Sequence, residues 1–337
     1  MRNYLINKNK NYKPELDGLR AFAIIAVIIN HINKDIFPYG YLGVDMFFVI
    51  SGYVITSSIA ERNSQNFYDF IFSFYVRRIK RLIPGLIFFV LTTSIFICFF
   101  SSNTQTILRT GISSLFGLSN LYLLKQSTDY FAQSSELNVF THTWSLGVEE
   151  QFYLIFPFIV WFSGFGQKSI NGSRNLFLFL IFLSSISLIS FAVLYSISQS
   201  SVYFLMPFRF WEISIGCLLY LYSKREKSLT NLHFRIPPLI IILLMLGVFI
   251  SPLSFPVSYT IIIVFLTAVL ISNLKRDSFI FKIFISKSVT HIGLISYSLY
   301  LWHWGIISIS RWTIGLHWWS LPFQIALIIA LSIFTYT

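Results

Sequence analysis

The chain has 337 residues, of which 55% are hydrophobic and only 11% charged. A soluble globular domain carries about 25% charged residues, so this composition excludes a chain coated throughout by water. The net charge of +12 is dispersed between apolar runs; this argues against nucleic acid as a partner and fits membrane topology instead.

Eleven apolar runs, near 16–32, 44–60, 82–100, 107–124, 144–162, 175–197, 203–222, 236–251, 259–273, 289–309 and 320–336, are candidate membrane spans. The first follows Lys8, Lys10 and Lys13 and superficially resembles a signal peptide, but His31-Ile32-Asn33-Lys34-Asp35 follows where a small-residue cleavage site would lie. We read it as a retained span. Cationic clusters fall in 1–20, 60–81, 223–235 and 274–288, with Lys168 and Arg174 between. If all eleven runs cross, the clusters at 223–235 and 274–288 land outside, against the positive-inside tendency. Leaving out 107–124, which carries Arg109, Asn120 and three serines, makes every cluster cytoplasmic. The expected fold is therefore an all-α polytopic membrane protein of about ten transmembrane helices. Both ends are cytoplasmic, and a non-spanning outer-face segment lies around 101–143. No internal repeat or linker divides the sequence, so 1–337 reads as one domain. Cys98 and Cys217 lie inside apolar runs and suit small buried hydrophobes; their spacing suggests neither a disulfide framework nor a metal site.

Ionisable groups inside a membrane are costly, about 2.5–3.5 kcal/mol each on insertion scales, and are functional candidates by default. Four constellations carry them. In the first span, Arg20 and His31 stand eleven residues apart, about three helical turns, and so share a face. Arg20 can also snorkel to the interface, and His31 can make an interhelical hydrogen bond. In the second, Gly43-Val44-Asp45 opens a span from outside. Asp45 there suits either a helix N-terminus or the role of orienting His31, and Gly52 would let those two helices approach. In the third, Arg77, Arg78 and Arg81 form a cluster at helical spacing. Arginine forks match phosphate geometry, whereas the plainer alternatives are a topological anchor or contact with anionic membrane lipids. In the fourth, His142, Trp144, Ser145, Glu149 and Glu150 enter a span from outside. A Ser-His-Glu nucleophilic triad is conceivable, but a carboxylate that holds or deprotonates an outer-face group fits better. Ser296, Tyr300 and His303 share a face further on, and Arg209 and Glu212 stand at pairing distance in the seventh span.

These residues resemble the bacterial acyltransferase 3 family, the integral membrane O-acetylases of O-antigens and other envelope glycans. The matching pieces are Pro14–Arg20 with His31, Gly43–Gly52, Phe74-Tyr75 with Arg77, Arg78 and Arg81, His142–Tyr153, and Ser296–His303, in family order over about 13–304. The resemblance implies transfer of an acyl group, usually acetyl, from cytoplasmic acyl-CoA to an acceptor hydroxyl outside, with no metal. The acceptor would be a glycan or lipid-linked glycan, of O-antigen or exopolysaccharide type, and the location the bacterial inner membrane. It carries the arginine and histidine pair onto Arg20 and His31, and the arginine motif onto Arg77, Arg78 and Arg81 as donor-binding groups. His31, Asp45 and Glu149 are then the catalytic candidates, with His142, Trp144, Ser145, Glu150, Tyr300 and His303 shaping the acceptor side. The sequence departs from the pattern at Gly305, where proline often follows, and at Thr335-Tyr336-Thr337, where such proteins usually continue. It is expected to be a fragment or a stand-alone version without a soluble hydrolase-like domain. A lipid, peptidoglycan or small-metabolite acceptor, or a secondary transporter, are the alternative readings.

Overall fold

The computed structural model describes residues 12–62, 64, 66–100, 104–126, 137–226, 236–274 and 276–336. The cationic residues Lys8, Lys10, Lys227, Arg235 and Lys275 lie outside them. The described residues are mainly helical, with no β-strand among them.

Helix α1 (Pro14–Ile32) opens with Pro14 in its first turn beside Glu15 and Asp17, as the positive end of a helix favours. A 3-10 turn at Gly40–Leu42 leads into α2 (Gly43–Ala60). Helix α3 (Phe67–Phe100) is continuous through Pro84 over 34 residues, about 51 Å at 1.5 Å per residue. The arginine motif and the apolar run behind it are thus one rod. The run 107–124 breaks into α4 (Thr104–Leu115) and α5 (Ser119–Lys125), separated by Gly117 at φ +66°. Both pieces are far shorter than the roughly 20 residues a span needs, in keeping with the non-spanning segment expected there. The segment nevertheless folds back along the bundle: Asn120 on α5 hydrogen-bonds Gln151, inside α6 (Trp144–Phe162).

The remaining helices are α7 (Gly172–Leu194), α8 (Gln199–Phe204), α9 (Met206–Glu226), α10 (Pro238–Ile250), α11 (Pro256–Asn273), α12 (Phe279–Phe284), α13 (Lys287–Leu294), α14 (Ser296–Trp312) and α15 (Leu321–Tyr336). Among the described residues, five segments are long and apolar enough to cross a membrane: α2 with its preceding turn, α3, α7, α8 with α9, and α11. A sixth results if α13 and α14 count together, although they meet at 67°. The run 289–309, expected as one straight span, is therefore bent at Ile295. Helices α10 and α15 are apolar but only 13 and 16 residues long, and α1 carries Glu15, Asp17 and Arg20 within its length.

The bundle closes around α2 and α9. A side-chain carbon at Gly52 would overlap the Ile213 carbonyl, and one at Gly216 would overlap the Val49 carbonyl, so the two backbones touch at a reciprocal glycine crossing. Gly52 was expected to bring α2 against α1. It faces α9 instead, and the α1 contact is made at Gly43, which abuts the Ala23 carbonyl. Backbone atoms on both sides cannot give way as a flexible side chain can. Gly216→Val is therefore expected to destabilise the bundle by about 1–3 kcal/mol or more, read as a lowered melting temperature in detergent; an unchanged melt would show that the crossing is not tight.

Candidate active site

Five helices that are remote in sequence wall one cavity of about 70 Å³. Arg20 comes from α1, Ser51 from α2, Arg78 and Arg81 from α3, Ser145, Glu149 and Tyr153 from α6, and Ser296, Tyr297 and Tyr300 from α14. Between them lie Val44, Phe47, Phe48, Val54, Leu82 and Leu146, so the lining alternates apolar surface with a few polar groups, as ligand cavities do. The charge is lopsided: three guanidiniums face one carboxylate. Arg20 donates to Asp17 Oδ1 at 2.7 Å, and Asp17 also accepts from Tyr12 at 2.6 Å. The Arg78 guanidinium lies 5.1 Å from the Tyr153 ring centre and 5.9 Å from that of Phe74, an aromatic bed that fixes its direction. Glu149 accepts a 2.6 Å hydrogen bond from Ser51. Tyr297 bonds the Leu82 carbonyl at 2.9 Å, tying α14 to α3 beside the arginines.

At the other end the wall is a pair of hydroxyls. Tyr300 donates to the His142 carbonyl at 2.7 Å and stands 2.7 Å from Ser145 Oγ, which therefore donates to it. Behind Tyr300 lies a cluster of three histidines. The His303 and His142 rings are centred 5.4 and 5.2 Å from the Tyr300 ring. His303 Nε2 is 3.0 Å from His31 Nδ1, the rings stacked at 7°, and Trp304 packs edge-on to His31 at 4.5 Å. All three histidines are buried. The protons of the neutral pair can be assigned by elimination. His303 Nδ1 is 3.0 Å from the Leu299 carbonyl, and a carbonyl only accepts, so Nδ1 carries the hydrogen. Nε2 is then an acceptor, which requires the hydrogen of His31 to be on Nδ1. The lone pair of His31 falls on Nε2.

Asp45 plays a different part from the one expected. It does not orient His31; it ion-pairs with Arg209 of α9 at 3.0 Å, and Arg209 also donates to Glu212 at 2.8 Å. All three are buried. Phe48, Trp144, Phe191 and Tyr203 surround the guanidinium at 5.3–6.0 Å. Trp144, expected on the acceptor side, thus belongs to an arginine box and is absent from the cavity wall. The orienting group of His31 is His303, itself held by a backbone carbonyl.

Several other expectations shift. Arg78 and Arg81 line the cavity; Arg77 does not. Glu149, expected to hold or deprotonate an outer-face group, shares the wall with these arginines. Glu150 points away, against Gly117. A Ser-His-Glu triad does not form, since Ser145 bonds Tyr300, Glu149 bonds Ser51, and both ring nitrogens of His142 lack a hydrogen-bond partner among the described residues. Sequence reading missed Ser51, Tyr153 and Tyr297 in the wall. Tyr153 and Tyr297 carried a signal, standing four residues after Glu149 and three before Tyr300 on the same helical faces.

The bundle thus has guanidiniums at one end of an internal cavity and two hydroxyls at the other, with the histidines behind them. Comparison supplies the family. The acyltransferase domain model matches residues 13–337, and the chain belongs to that family. It is 35% identical over 317 residues to O-acetyltransferase OatA of Staphylococcus aureus strain NCTC 8325 / PS 47, a match covering 88% of this chain and 51% of that protein. A relative from strain MSSA476, provisionally named an O-acetyltransferase, is 33% identical over 317 residues, covering 89% and 52%. The chain thus spans about half the length of these relatives. No solved structure matches it.

Removing Arg209 would leave two buried carboxylates with no cation, the costly way to break a buried pair. Arg209→Met is expected to lose about 3–5 kcal/mol of stability. Asp45→Asn keeps the Arg209–Glu212 pair and should remain folded in a thermal melt; equal loss in both variants would contradict this division.

Proposed function

We propose that the chain transfers an acyl group, acetyl in the simplest case, from cytoplasmic acyl-CoA to a hydroxyl of a cell-surface glycan. The observation that carries this reading is the single cavity running from Arg20, Arg78 and Arg81 to Ser145 and Tyr300, with His31, His303 and His142 immediately behind. The relatives' printed names supply O-acetylation. The donor is inferred from the arginines, because guanidinium forks suit the diphosphate of coenzyme A. The acceptor is inferred from the envelope glycans that the acyltransferase 3 resemblance implies. The topology that goes with this reading is ten spans in a bacterial inner membrane, with both ends and the arginines cytoplasmic and the histidines in the outer half.

In this mechanism the donor diphosphate binds Arg20, Arg78 and Arg81, displacing Glu149 from its place as their counter-charge. The apolar wall between Val44 and Leu146 accepts the pantetheine arm, and the thioester comes to lie against Tyr300 and Ser145. His31 Nε2 takes the proton of the acceptor hydroxyl as its oxygen attacks the acyl carbon. The C–O bond forms, the C–S bond breaks, and the leaving thiolate of coenzyme A ends with the proton that His31 took from the acceptor, which returns His31 to its neutral form. As His31 becomes charged, its Nδ1–H stays on His303 Nε2, so His303 positions the ring and stabilises the imidazolium.

The test is transfer of radiolabelled acetyl from acetyl-CoA to envelope glycan in proteoliposomes. His31→Gln is expected to lose about 100-fold or more of the rate while still binding acetyl-CoA. His303→Ala should lose less. Full activity in His31→Gln would remove His31 as the base.

A further inference from the structure

The cavity does not end at Arg20. A second pocket shares Arg20 and Val54 with it and continues past Asp17, Leu16, Ser58 and Arg62. That pocket in turn shares Tyr12, Lys13, Tyr53, Ser57 and Glu61 with a wide open groove. The three follow one another, each sharing wall residues with the next. Lys13 lies seven residues before Arg20, about 10 Å of helical rise, so the groove sits below the arginine end, on the side away from the histidines.

Cations from four separate stretches of chain converge on the groove: Lys13 before α1, Lys224 near the end of α9, Arg276 after α11 and Lys282 on α12. Two carboxylates, Glu15 and Glu61, also line it, leaving an excess of two positive charges. Tyrosines stand among them. Tyr53 and Tyr220 pack edge to face at 5.5 Å and 82°, and Lys13 bonds the Tyr53 hydroxyl at 2.5 Å. A membrane anchor needs cations spread around the rim of the bundle. These are instead collected in one concavity, beside aromatic rings, next to the pocket that reaches Arg20.

The geometry points to this groove as a binding site for the nucleotide end of the donor, a 3′-phosphorylated adenosine. Lys224, Arg276 and Lys282 take the ribose phosphate, and the tyrosine pair offers an edge for the base. This rests on the acyl-CoA reading and extends it. Arg20, Arg78 and Arg81 hold the diphosphate at the constriction, and the groove holds what hangs outside it. A lipid phosphate would satisfy the same cations, so the experiment separates the two sources.

Binding to the full chain in nanodiscs is measured for acetyl-CoA and for 3′-dephospho-acetyl-CoA, with wild type and the double variant Lys224→Ala/Lys282→Ala. Discs are made of phosphatidylcholine alone or with phosphatidylglycerol. The expected result is that wild type binds acetyl-CoA about tenfold or more tightly than the dephospho donor, the gain of a charge-assisted hydrogen bond. The double variant loses that difference while its affinity for the dephospho donor is unchanged, which also shows that it is folded. Equal affinity of wild type for the two donors would overturn the groove assignment and leave the acyl-CoA reading standing. Equal weakening of both donors in the variant would overturn it too. A donor affinity lowered by phosphatidylglycerol, with no dependence on the 3′-phosphate, would assign the groove to lipid. Failure of folded wild type to bind either donor would overturn both readings.

Discussion

A charged side chain inside an apolar bundle must find a partner or a wet cavity, and the interior of this protein is arranged around that requirement. Taking a guanidinium or a carboxylate out of water costs several kcal/mol even after relaxation, so the interior charges gather rather than scatter. One group, Asp45, Arg209 and Glu212, is closed: opposite charges meet within 3.0 Å inside an aromatic box. The other, Arg20, Arg78 and Arg81 against Glu149, is open, with cationic charge in excess and a cavity beside it. The closed group fastens α2 to α9 next to their glycine crossing. In the proposed function the open group is the one that takes the anionic donor.

The histidines obey the same rule in neutral form. Three buried imidazoles would repel one another if charged, and as neutral rings they need donors and acceptors matched in sequence. The Leu299 carbonyl starts that chain at His303, and the chain passes to His31. A backbone carbonyl here does the orienting that a carboxylate does in many histidine sites, without adding a charge to the interior. The segment between α3 and α6 covers this cluster: Asn138 accepts from Trp304 through its carbonyl at 2.8 Å and donates to Thr110 of α4 at 2.9 Å. The break at Gly117 lets α5 turn back beside α6, so the outer segment is part of the packed interior.

Much of this was legible in the sequence. The composition and apolar runs give an all-helical membrane protein, and the ordered motifs give the acyltransferase family. Depth along a helix is also legible, because rise per residue is constant; counting spans puts His31, His142 and His303 at one level, and the structure brings them together although up to 272 residues separate them. Direction around the helix axis is less so. Arg77 and Arg78 each stand at a good spacing from Arg81, and only the packing of Tyr153 against Arg78 selects one. Asp45 was at a fitting depth for His31, but α2 turns it toward α9, where Arg209 waits. The bend at Ile295 left no trace in composition, since the apolar run passes through it unbroken. Tyr300, at the junction of cavity and histidines, depends on that bend for its position.

The account depends on the open arginine group binding a phosphorylated acyl donor. Saturable binding of acetyl-CoA to the purified protein, compared with the Arg78→Ala/Arg81→Ala variant, measures that most directly. The account predicts saturable binding to wild type that is lost in the folded variant. No binding to well-folded wild type, or undiminished binding to the variant, would contradict it, and Arg78 and Arg81 would then be anchors at the membrane surface.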